Sequence, residues 1–289
     1  TDTLSQFLDA LDRFVKERLI PYEDRVADED VIPPMLVDEI RTMGLFGMSI
    51  PEDFGGLGLS MIEEVQAAFV LGQASPAFRS LVGTNNGIGS QGIIIDGTDE
   101  QKAKYLPALA SGDMIASFAL TEPDAGSDAG GLRTTARRDG NDFLLNGTKR
   151  YITNAPRADL FTVFARTNPE AEGSAGVSAF LVEAGTPGIT LGQPDRKMGQ
   201  KGSHTCDVIL DNVRVPASNI IGGPDRLNKG FKTAMKVLDR GRLHISAVCV
   251  GAAERLIRDS LSYAIERKQF GEPIAEKQLI QAMLADSRA

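Results

Sequence analysis

The sequence contains few cysteines and histidines, and it has no long apolar run. Its two cysteines, Cys206 and Cys249, suit a reducing compartment better than a disulfide framework. His204 and His244 lie far apart and lack ligand spacing to the cysteines, so no metal site is expected. No apolar segment approaches the ~18 consecutive residues that suggest a membrane span. We therefore expect a soluble protein without a metal.

A basic tract is also missing. The 289 residues contain 31 Lys and Arg against 39 Asp and Glu, which gives a formal net charge of −8. This balance argues against nucleic acid or an anionic membrane as the main partner. A chain of this length lies near the size at which one core divides into domains, so two or three substructures are expected.

Helical periodicity dominates residues 1–117, which we predict to form an all-α N-terminal domain. In the first helix, Thr3 and Gln6 are placed as a capping box and Pro21 as the end. Further helices are predicted from Pro34 to Gly44, from Met61 to about Ala74, and over residues 100–111.

The pattern becomes that of β-strands at residue 118. Turn signals at 139–142 and at Asn146-Gly147 bracket Phe143–Leu145, and β-rich runs follow at 160–165, 177–182 and 208–215. We predict a compact, barrel-like antiparallel β domain over residues 118–225. Helical periodicity then returns over residues 226–289, so the fold class is predicted to be α+β.

The last predicted helix keeps an apolar face up to Ala289, formed by Leu279, Ile280, Met283 and Leu284. No glycine cap and no partner helix follow this face. We therefore expect that a C-terminal helical domain begins in this chain and that its remainder is missing from it.

Residues 118–128 form the most informative segment, Phe-Ala-Leu-Thr-Glu-Pro-Asp-Ala-Gly-Ser-Asp. Pro123 cannot donate a backbone hydrogen bond and restricts Glu122, so a strand end gives way to a loop. The loop can present Thr121, Ser127 and backbone N–H groups to a planar polar heterocycle or a thioester. Taken alone, it is also typical of a solvated loop that begins a sheet. Glu122 is a candidate base, but before a proline it is expected to orient the backbone.

Two further segments change this interpretation, namely Tyr151-Ile152-Thr153-Asn154 and Glu266-Arg267-Lys268-Gln269-Phe270-Gly271. At these spacings the three segments resemble the signatures of the acyl-CoA dehydrogenase family of flavoproteins, from about residue 35 to the last residue. No predicted strand is followed by the G-x-G-x-x-G motif of a Rossmann fold, so a nucleotide would have to be bound by a different structural motif. The resemblance implies a helical N-terminal domain, a middle β domain and the first part of a C-terminal four-helix bundle.

The resemblance also implies that FAD lies between the β domain and helices of the same and a neighbouring subunit. The residues it places against the flavin are Phe118, Ala119, Leu120, Thr121, Ser127, Tyr151, Ile152 and Thr153. Thr121 would bond the ring system, Tyr151 would cover the ring face away from the substrate, and Thr153 would bond near N5. Without the family, a tyrosine at such a position is more often a half-buried strand aromatic.

A second group would reach the FAD of the adjacent subunit, and it comprises Arg267, Gln269, Phe270 and, toward the adenosine half, Gln278. Arginine suits a pyrophosphate because its planar fork bonds two oxygens. The alternative is a surface network of helix charges around Glu266.

Ser127, Asp239 and Arg242 would contact the acyl-CoA by the same resemblance. A minority of relatives place the catalytic glutamate at the position of Gly241, and glycine cannot be a base. The majority place it later in the C-terminal domain, so the base is expected beyond Ala289. The residue that takes the proton is thus unknown within this sequence.

The implied reaction is α,β-dehydrogenation of an acyl-CoA thioester to the trans-2-enoyl-CoA, with electrons passed to an electron-transfer flavoprotein. A carboxylate removes the α proton while the β hydrogen leaves as hydride to flavin N5. Two other hypotheses remain open: an oxygen-using relative such as an acyl-CoA oxidase or flavin monooxygenase, and a non-catalytic protein that binds acyl-CoA or a partner.

The family further implies a homotetramer, located in a bacterial cytoplasm or, after removal of an organellar peptide, in the mitochondrial matrix.

Arg79 lies in a Phe-Arg-Ser stretch similar to one in glutaryl-CoA dehydrogenases, where an arginine meets the distal carboxylate of the substrate. The acidic partner of that arginine is replaced here by Gly72, and a dicarboxylyl substrate is a minor alternative.

Overall fold

The computed structural model describes residues 2–289, with side chains from residue 3 onward. The helices before the sheet are α1 Asp2–Phe14, α2 Glu23–Glu29, α3 Pro34–Thr42, α4 Met61–Leu71, α5 Pro76–Gly83, α6 Gln91–Asp96 and α7 Asp99–Ser111. Their buried side chains form one core, which includes Leu11, Leu36 and Phe78. The predicted helices that correspond to α3, α4 and α7 are confirmed.

The first helix differs from its prediction at both ends. α1 already includes Asp2, so Thr3 lies inside the helix and is not its N-cap. Pro21 does not end the helical segment, because it occupies the first turn of a 3-10 helix over Ile20–Tyr22, where its missing N–H is not needed. The segment continues through α2 and ends at Asp30, which has a φ of 52°.

No periodic pattern predicted α5, α6 or the π-helical turn Thr84–Gly89 between them. Buried amides hold this turn. Asn85 Nδ2 donates to the carbonyls of Phe46 (3.3 Å) and Leu109 (3.0 Å), and its Oδ1 accepts from the N–H of Ala116 at 2.8 Å. Asn85 therefore joins the helical core to the first strand of the sheet.

The middle of the chain folds into one seven-stranded sheet. Its strands are β1 Ala116–Ala119, β2 Thr135–Asp139, β3 Asp142–Thr153, β4 Leu160–Arg166, β5 Val177–Glu183, β6 Ile189–Leu191 and β7 Thr205–Pro216. β3 and β7 form a long antiparallel pair, and β4 pairs with β5 along its whole length. β1 runs parallel to β4, so the sheet is mostly, but not entirely, antiparallel.

One predicted turn is wrong. β3 continues through Asn146-Gly147, where the pairing with β7 shifts register. Gly147 has a φ of 152°, and a Cβ there would lie 2.4 Å from Thr134 Oγ1. The glycine thus permits an irregularity within the strand and a close approach of β2, and it does not end the strand.

The C-terminal part comprises the long helix α8 Gly230–Glu266, a hairpin of β8 Lys268–Gln269 and β9 Glu272–Pro273, and helix α9 Gln278–Arg288. α8 crosses α4 closely, because a Cβ on Gly251 would lie 2.0 Å from the Phe69 carbonyl and one on Gly72 would lie 2.4 Å from the Val248 carbonyl. The helical, β and helical parts confirm the predicted α+β class. Among residues 2–289, no helix is long and apolar enough to cross a membrane.

Candidate active site

A cleft of about 690 Å³ opens where the end of β1, the bulge of β3, the π-helical turn and the start of α8 meet. Polar groups of the loop after β1 form one wall, and apolar side chains of α8 form another. The lining residues are Thr84, Ile88, Phe118, Leu120, Thr121, Gly126, Ser127, Asp128, Ala129, Gly130, Tyr151, Thr153, Gly173, Ser174, Phe231, Met235, Leu238 and Arg242.

The cleft brings together most of the predicted flavin and substrate residues. Those that line it are Phe118, Leu120, Thr121, Ser127, Tyr151, Thr153 and Arg242. Ala119 and Ile152 are buried in the sheet beneath this surface. Two segments separated by more than 20 residues therefore meet in space, because the N–H of Arg150 donates to the carbonyl of Thr121 at 2.8 Å.

The remaining predicted residues lie away from the cleft. Arg267, Gln269, Phe270 and Gln278 belong to the C-terminal hairpin and the start of α9, and the Phe270 side chain is 96% exposed. Asp239 is exposed and contacts Arg242 one helical turn further along α8. The predicted contact of the hairpin with a neighbouring subunit's FAD stays a prediction.

The backbone around Tyr151 is strained. Tyr151 has a φ of 59°, a left-handed conformation that bulky side chains rarely adopt. It belongs to a bulge in which β3 has one residue more than β7 between the Lys149–Val208 and Ile152–Cys206 pairs. The bulge leaves the Tyr151 side chain 61% exposed at the cleft, where a ligand can cover it.

Arg150 and Asp207 fix the strand beside this bulge. Arg150 Nη1 donates to both carboxylate oxygens of Asp207 at 2.8 Å. The same guanidinium lies 4.7 Å from the centroid of the Tyr151 ring, within the range of a cation–π contact. The hydrogen bonds with Asp207 raise the pKa of Arg150, so Arg150 remains charged and orients the ring.

A buried ion pair lies behind the loop. Lys149 Nζ, fully buried, donates to Glu122 Oε1 at 2.7 Å and to the Leu120 carbonyl at 3.1 Å. Glu122 also accepts the N–H groups of Arg133 at 2.6 Å and Thr134 at 2.9 Å. Glu122 therefore closes the loop by binding its far end, which confirms the prediction that this carboxylate orients backbone.

Burial and charge act in opposite directions on this pair. Burial by itself would raise the pKa of Glu122, but Lys149 and the two N–H donors outweigh it, so the pKa is lowered. Burial lowers the pKa of Lys149 to about 8, although Glu122 opposes that shift. Both groups are therefore charged at neutral pH.

Several residues that line the cleft or lie behind it were not predicted from the sequence. Phe231, Met235 and Leu238 follow the i, i+4, i+7 spacing of one face of α8, so helical periodicity was an available signal. Thr84 and Ile88 lie on a π-helical turn, for which no periodic signal exists. Lys149 looks like a surface residue in sequence, and only tertiary contacts reveal its burial.

The donor set fits FAD. The hydroxyls of Thr121, Ser127 and Thr153 make no hydrogen bond within residues 2–289, so they are free for a ligand. A Cβ on Gly126 would meet only the Thr121 methyl carbon, at 4.0 Å, which leaves space above the loop. Free donors beside apolar and aromatic walls suit the polar edge and the planar faces of an isoalloxazine ring.

Comparison with known proteins decides the family. Models of the N-terminal, middle and C-terminal domains of acyl-CoA dehydrogenase match residues 1–113, 117–213 and 228–289. The chain belongs to the acyl-CoA dehydrogenase family. It is 41% identical over 273 residues to an acyl-CoA dehydrogenase of Bacillus subtilis (strain 168), which covers 94% of this chain and 71% of that protein. It is also 42% identical over 276 residues to the acryloyl-CoA reductase (NADH) of Anaerotignum propionicum, covering 95% and 69%.

Solved structures agree with this assignment. The butyryl-CoA dehydrogenase of Megasphaera elsdenii is similar with a TM-score of 0.93 at 34% identity, and the match covers all of this chain and 75% of that one. An acyl-CoA dehydrogenase of Bacillus anthracis complexed with FAD matches with a TM-score of 0.90 at 36% identity, covering 99% of this chain and 48% of that one. This family member is an oxidoreductase whose cofactor is FAD.

The strain at Tyr151 leads to a testable prediction. Replacing Tyr151 with glycine should raise the free energy of unfolding of the apoprotein by up to about 1 kcal/mol, because glycine adopts this φ without the left-handed penalty. Because the resemblance implies that Tyr151 covers the flavin, the same change should also weaken FAD binding about two- to tenfold, since an aromatic cover contributes roughly 0.5–1.5 kcal/mol. Chemical denaturation and quenching of flavin fluorescence measure the two effects.

Tyr263 provides the matched control. It is 60% exposed but lies within α8. Tyr263→Gly should therefore lower stability by roughly 0.5–1 kcal/mol, because glycine in a helix interior loses more backbone entropy. If both glycine variants were destabilised alike, the backbone at Tyr151 would not be strained.

Proposed function

We propose that this flavoprotein catalyses FAD-dependent α,β-dehydrogenation of an acyl-CoA thioester to the trans-2-enoyl-CoA. The observation that carries the proposal is the cleft, in which hydroxyl donors of the loop face an apolar wall of α8 and the π-helical turn. Thr121 and Thr153 bind the flavin ring, Tyr151 covers one ring face, and Ser127, Asp239 and Arg242 contact the acyl-CoA. Bound FAD supplies the hydride acceptor.

The hairpin residues Arg267, Gln269 and Phe270, with Gln278, are proposed to bind the FAD of a neighbouring subunit. Their exposure supports this role, because a surface that contacts another subunit is open in a single chain. The assembly is proposed to be a homotetramer, in a bacterial cytoplasm or a mitochondrial matrix.

The base that removes the α proton is proposed to be a glutamate beyond Ala289. The chain spans 71% of the length of the Bacillus subtilis relative, which leaves room for such a residue. Among the described residues, Asp128 is the carboxylate that lines the cleft, and it is exposed on the loop that holds Ser127. If an Asp128→Asn variant retained FAD but no longer reduced it, Asp128 would be the base, and the proposal of a glutamate beyond Ala289 would be wrong.

The proposal is tested by anaerobic titration of the full-length, FAD-loaded protein with saturated acyl-CoAs of increasing length. Dehydrogenation predicts rapid loss of the oxidised flavin absorbance with at least one thioester, and formation of the enoyl-CoA. Binding without any loss of absorbance would favour the non-catalytic hypothesis. Relatives named as reductases call for the reverse titration as well, with reduced protein and enoyl-CoA.

An electron-transfer flavoprotein is proposed as the electron acceptor. In support, the chain is 38% identical to the caffeyl-CoA reductase-Etf complex subunit CarC of Acetobacterium woodii. The oxygen-using alternative is supported by similarity, at 33% identity and a TM-score of 0.93, to a prolyl acyl carrier protein oxidase. Admitting air to the substrate-reduced protein distinguishes the two, because prompt reoxidation would contradict the dehydrogenase proposal.

A dicarboxylyl-CoA is a second candidate substrate, and Arg79 is the observation that favours it. Arg79 is partly buried against α8, and its Nε donates to His244 Nδ1 at 3.1 Å. Burial and the charge of Arg79 lower the pKa of His244 to about 3, so the imidazole is neutral and its Nε2 carries a proton. That Nε2 is buried without a partner within the described chain.

Arg79 thus keeps its charge without an acidic partner among the residues whose side chains the structure describes. Burial lowers its pKa to about 10, so it stays protonated at neutral pH. The close contact of Gly72 with the Val248 carbonyl leaves no room for an acidic side chain at that position. A glutaryl-CoA dehydrogenase structure in complex with glutaryl-CoA is 34% identical with a TM-score of 0.92.

We expect Arg79→Met to separate the two substrate classes. It should slow flavin reduction by a dicarboxylyl-CoA about 10- to 100-fold, because a hydrogen bond to a charged group contributes roughly 1.5–3 kcal/mol. Reduction by a monocarboxylic acyl-CoA of equal length should change little, and Arg79→Lys should retain part of the dicarboxylyl activity. Equal losses with both substrates would exclude a role of Arg79 in recognising a carboxylate.

A further inference from the structure

The ion pair of Lys149 and Glu122 contacts the peptide between Leu120 and Thr121, at the start of the loop that follows β1. The carbonyl of this peptide faces the buried side of the loop, whereas the residue that carries its N–H lines the cleft. Lys149 Nζ binds the carbonyl oxygen of Leu120 from the buried side, at 3.1 Å. The next residue, Thr121, lines the cleft. The peptide bond between them is trans, because residues 2–289 contain no cis peptide.

In a trans peptide the C=O and the N–H point in opposite directions. The Leu120 carbonyl points toward Lys149, so the N–H of Thr121 points away from it, and this N–H has no hydrogen-bond partner among the described residues. A cation bound to the carbonyl polarises the whole peptide unit and makes its N–H a stronger donor, since hydrogen bonds in series reinforce one another.

The surroundings keep this geometry fixed. Lys149 is fully buried and Glu122 is 6% exposed, so water does not screen the pair. The carbonyl of Thr121 is bound by the N–H of Arg150 at 2.8 Å, and Glu122 binds both Arg133 and Thr134. Lys149 thus holds the carbonyl of the Leu120–Thr121 peptide, and the bonds at Thr121 and Glu122 restrain the backbone that follows it.

We propose that Lys149 is a positioning residue for the flavin: by donating to the Leu120 carbonyl, it fixes and polarises the peptide whose N–H is presented to the ring by Thr121. A stronger donor stabilises the negative charge that accumulates on the reduced ring. Lys149 thereby raises the reduction potential of the flavin without touching it, while Glu122 neutralises the buried charge and closes the loop.

The test is the midpoint potential of the bound flavin in the full-length protein, measured without acyl-CoA. The Lys149→Met/Glu122→Gln double variant removes both charges, because a single change leaves an uncompensated buried charge. We expect the equilibrium constant for flavin reduction to fall about tenfold, as for loss of one hydrogen bond, a shift of about 30 mV for a two-electron couple. Because no substrate is present, failure here is distinguishable from failure of the proposed dehydrogenase activity.

Two further variants make the outcome decisive. Lys149→Gln/Glu122→Gln keeps an amide donor for the Leu120 carbonyl, so its midpoint potential should decrease by less than that of Lys149→Met/Glu122→Gln. Lys104→Met/Glu183→Gln removes an exposed ion pair with an N–O distance of 2.8 Å and should leave the potential unchanged. A folded Lys149→Met/Glu122→Gln protein that binds FAD with the wild-type potential would overturn the proposal and leave the pair a purely structural role.

Discussion

Gly241→Glu is expected to restore flavin reduction in a full-length protein in which the glutamate proposed as the base beyond Ala289 has been changed to glutamine. A Cβ at Gly241 would lie 3.5 Å from Ile88 Cγ2, an ordinary van der Waals contact, and Ile88 lines the cleft. The new carboxylate would therefore enter the cleft from α8. A positioned general base typically contributes about 10²- to 10⁴-fold, so stopped-flow reduction by acyl-CoA should accelerate by at least about 10²-fold.

Gly241→Gln serves as the control in the same background, because it has the same size and cannot take a proton at neutral pH. Both substitutions should raise helix stability by roughly 0.5–1 kcal/mol, since glycine is unfavourable inside a helix. If both variants retain FAD and reduce it equally slowly, the position of Gly241 cannot accommodate a working base.

The largest effect on stability is expected from Glu122→Ala. This change leaves the fully buried Lys149 without its counter-ion and two backbone N–H groups without an acceptor. Breaking a buried pair in this way costs about 3–5 kcal/mol, which thermal and chemical denaturation would reveal. Glu183→Ala, which breaks the exposed pair with Lys104, should cost no more than about 1 kcal/mol. If Glu122→Ala and Glu183→Ala lowered the free energy of unfolding by similar amounts, burial would not be what makes the Lys149–Glu122 pair important for stability.

The same carboxylate makes the stability depend on pH. The pKa of Glu122 is lowered from its usual 4.5 in the folded chain, so the unfolded chain binds the proton more tightly. Its contribution is therefore complete above pH 4.5 and is lost as the pH falls through the lowered value. A Glu122→Gln variant should lose less stability than the wild type between pH 4.5 and pH 3. If the free energy of unfolding decreased equally in both proteins over this pH range, the pKa of Glu122 would not differ between the folded and the unfolded chain.

Much of the architecture follows from local patterns. The strands β4, β5 and β7 lie where the β-rich runs predicted them, because alternating or continuous apolar residues must be covered on the sheet faces. α8 follows helical periodicity over its whole length. The prediction was wrong at Pro21 and at Asn146-Gly147, because proline is tolerated at the start of a new turn and glycine within a bulge.

The candidate site was found in part for the same reason. The loop of Thr121 and the segment of Tyr151 were predicted as binding segments because their short motifs resemble those of a known family. The π-helical turn and the buried state of Lys149 could not be read. Both depend on contacts between distant segments, such as the bonds from Asn85 to Leu109 and Ala116.

Residue types and their local spacing are enough to predict the α+β class, the order of the three parts, the acidic character of the chain and the chemistry of the donors at residues 118–128 and 151–153. These properties depend on local periodicity and on residue type, which neighbouring residues already define. The folded chain is needed to see that these donors share one cleft, that Tyr151 lies in a bulge, and that Lys149 is buried against the Leu120 carbonyl. Those facts arise from strand register and from the exclusion of water, and both are set by segments far apart in the chain.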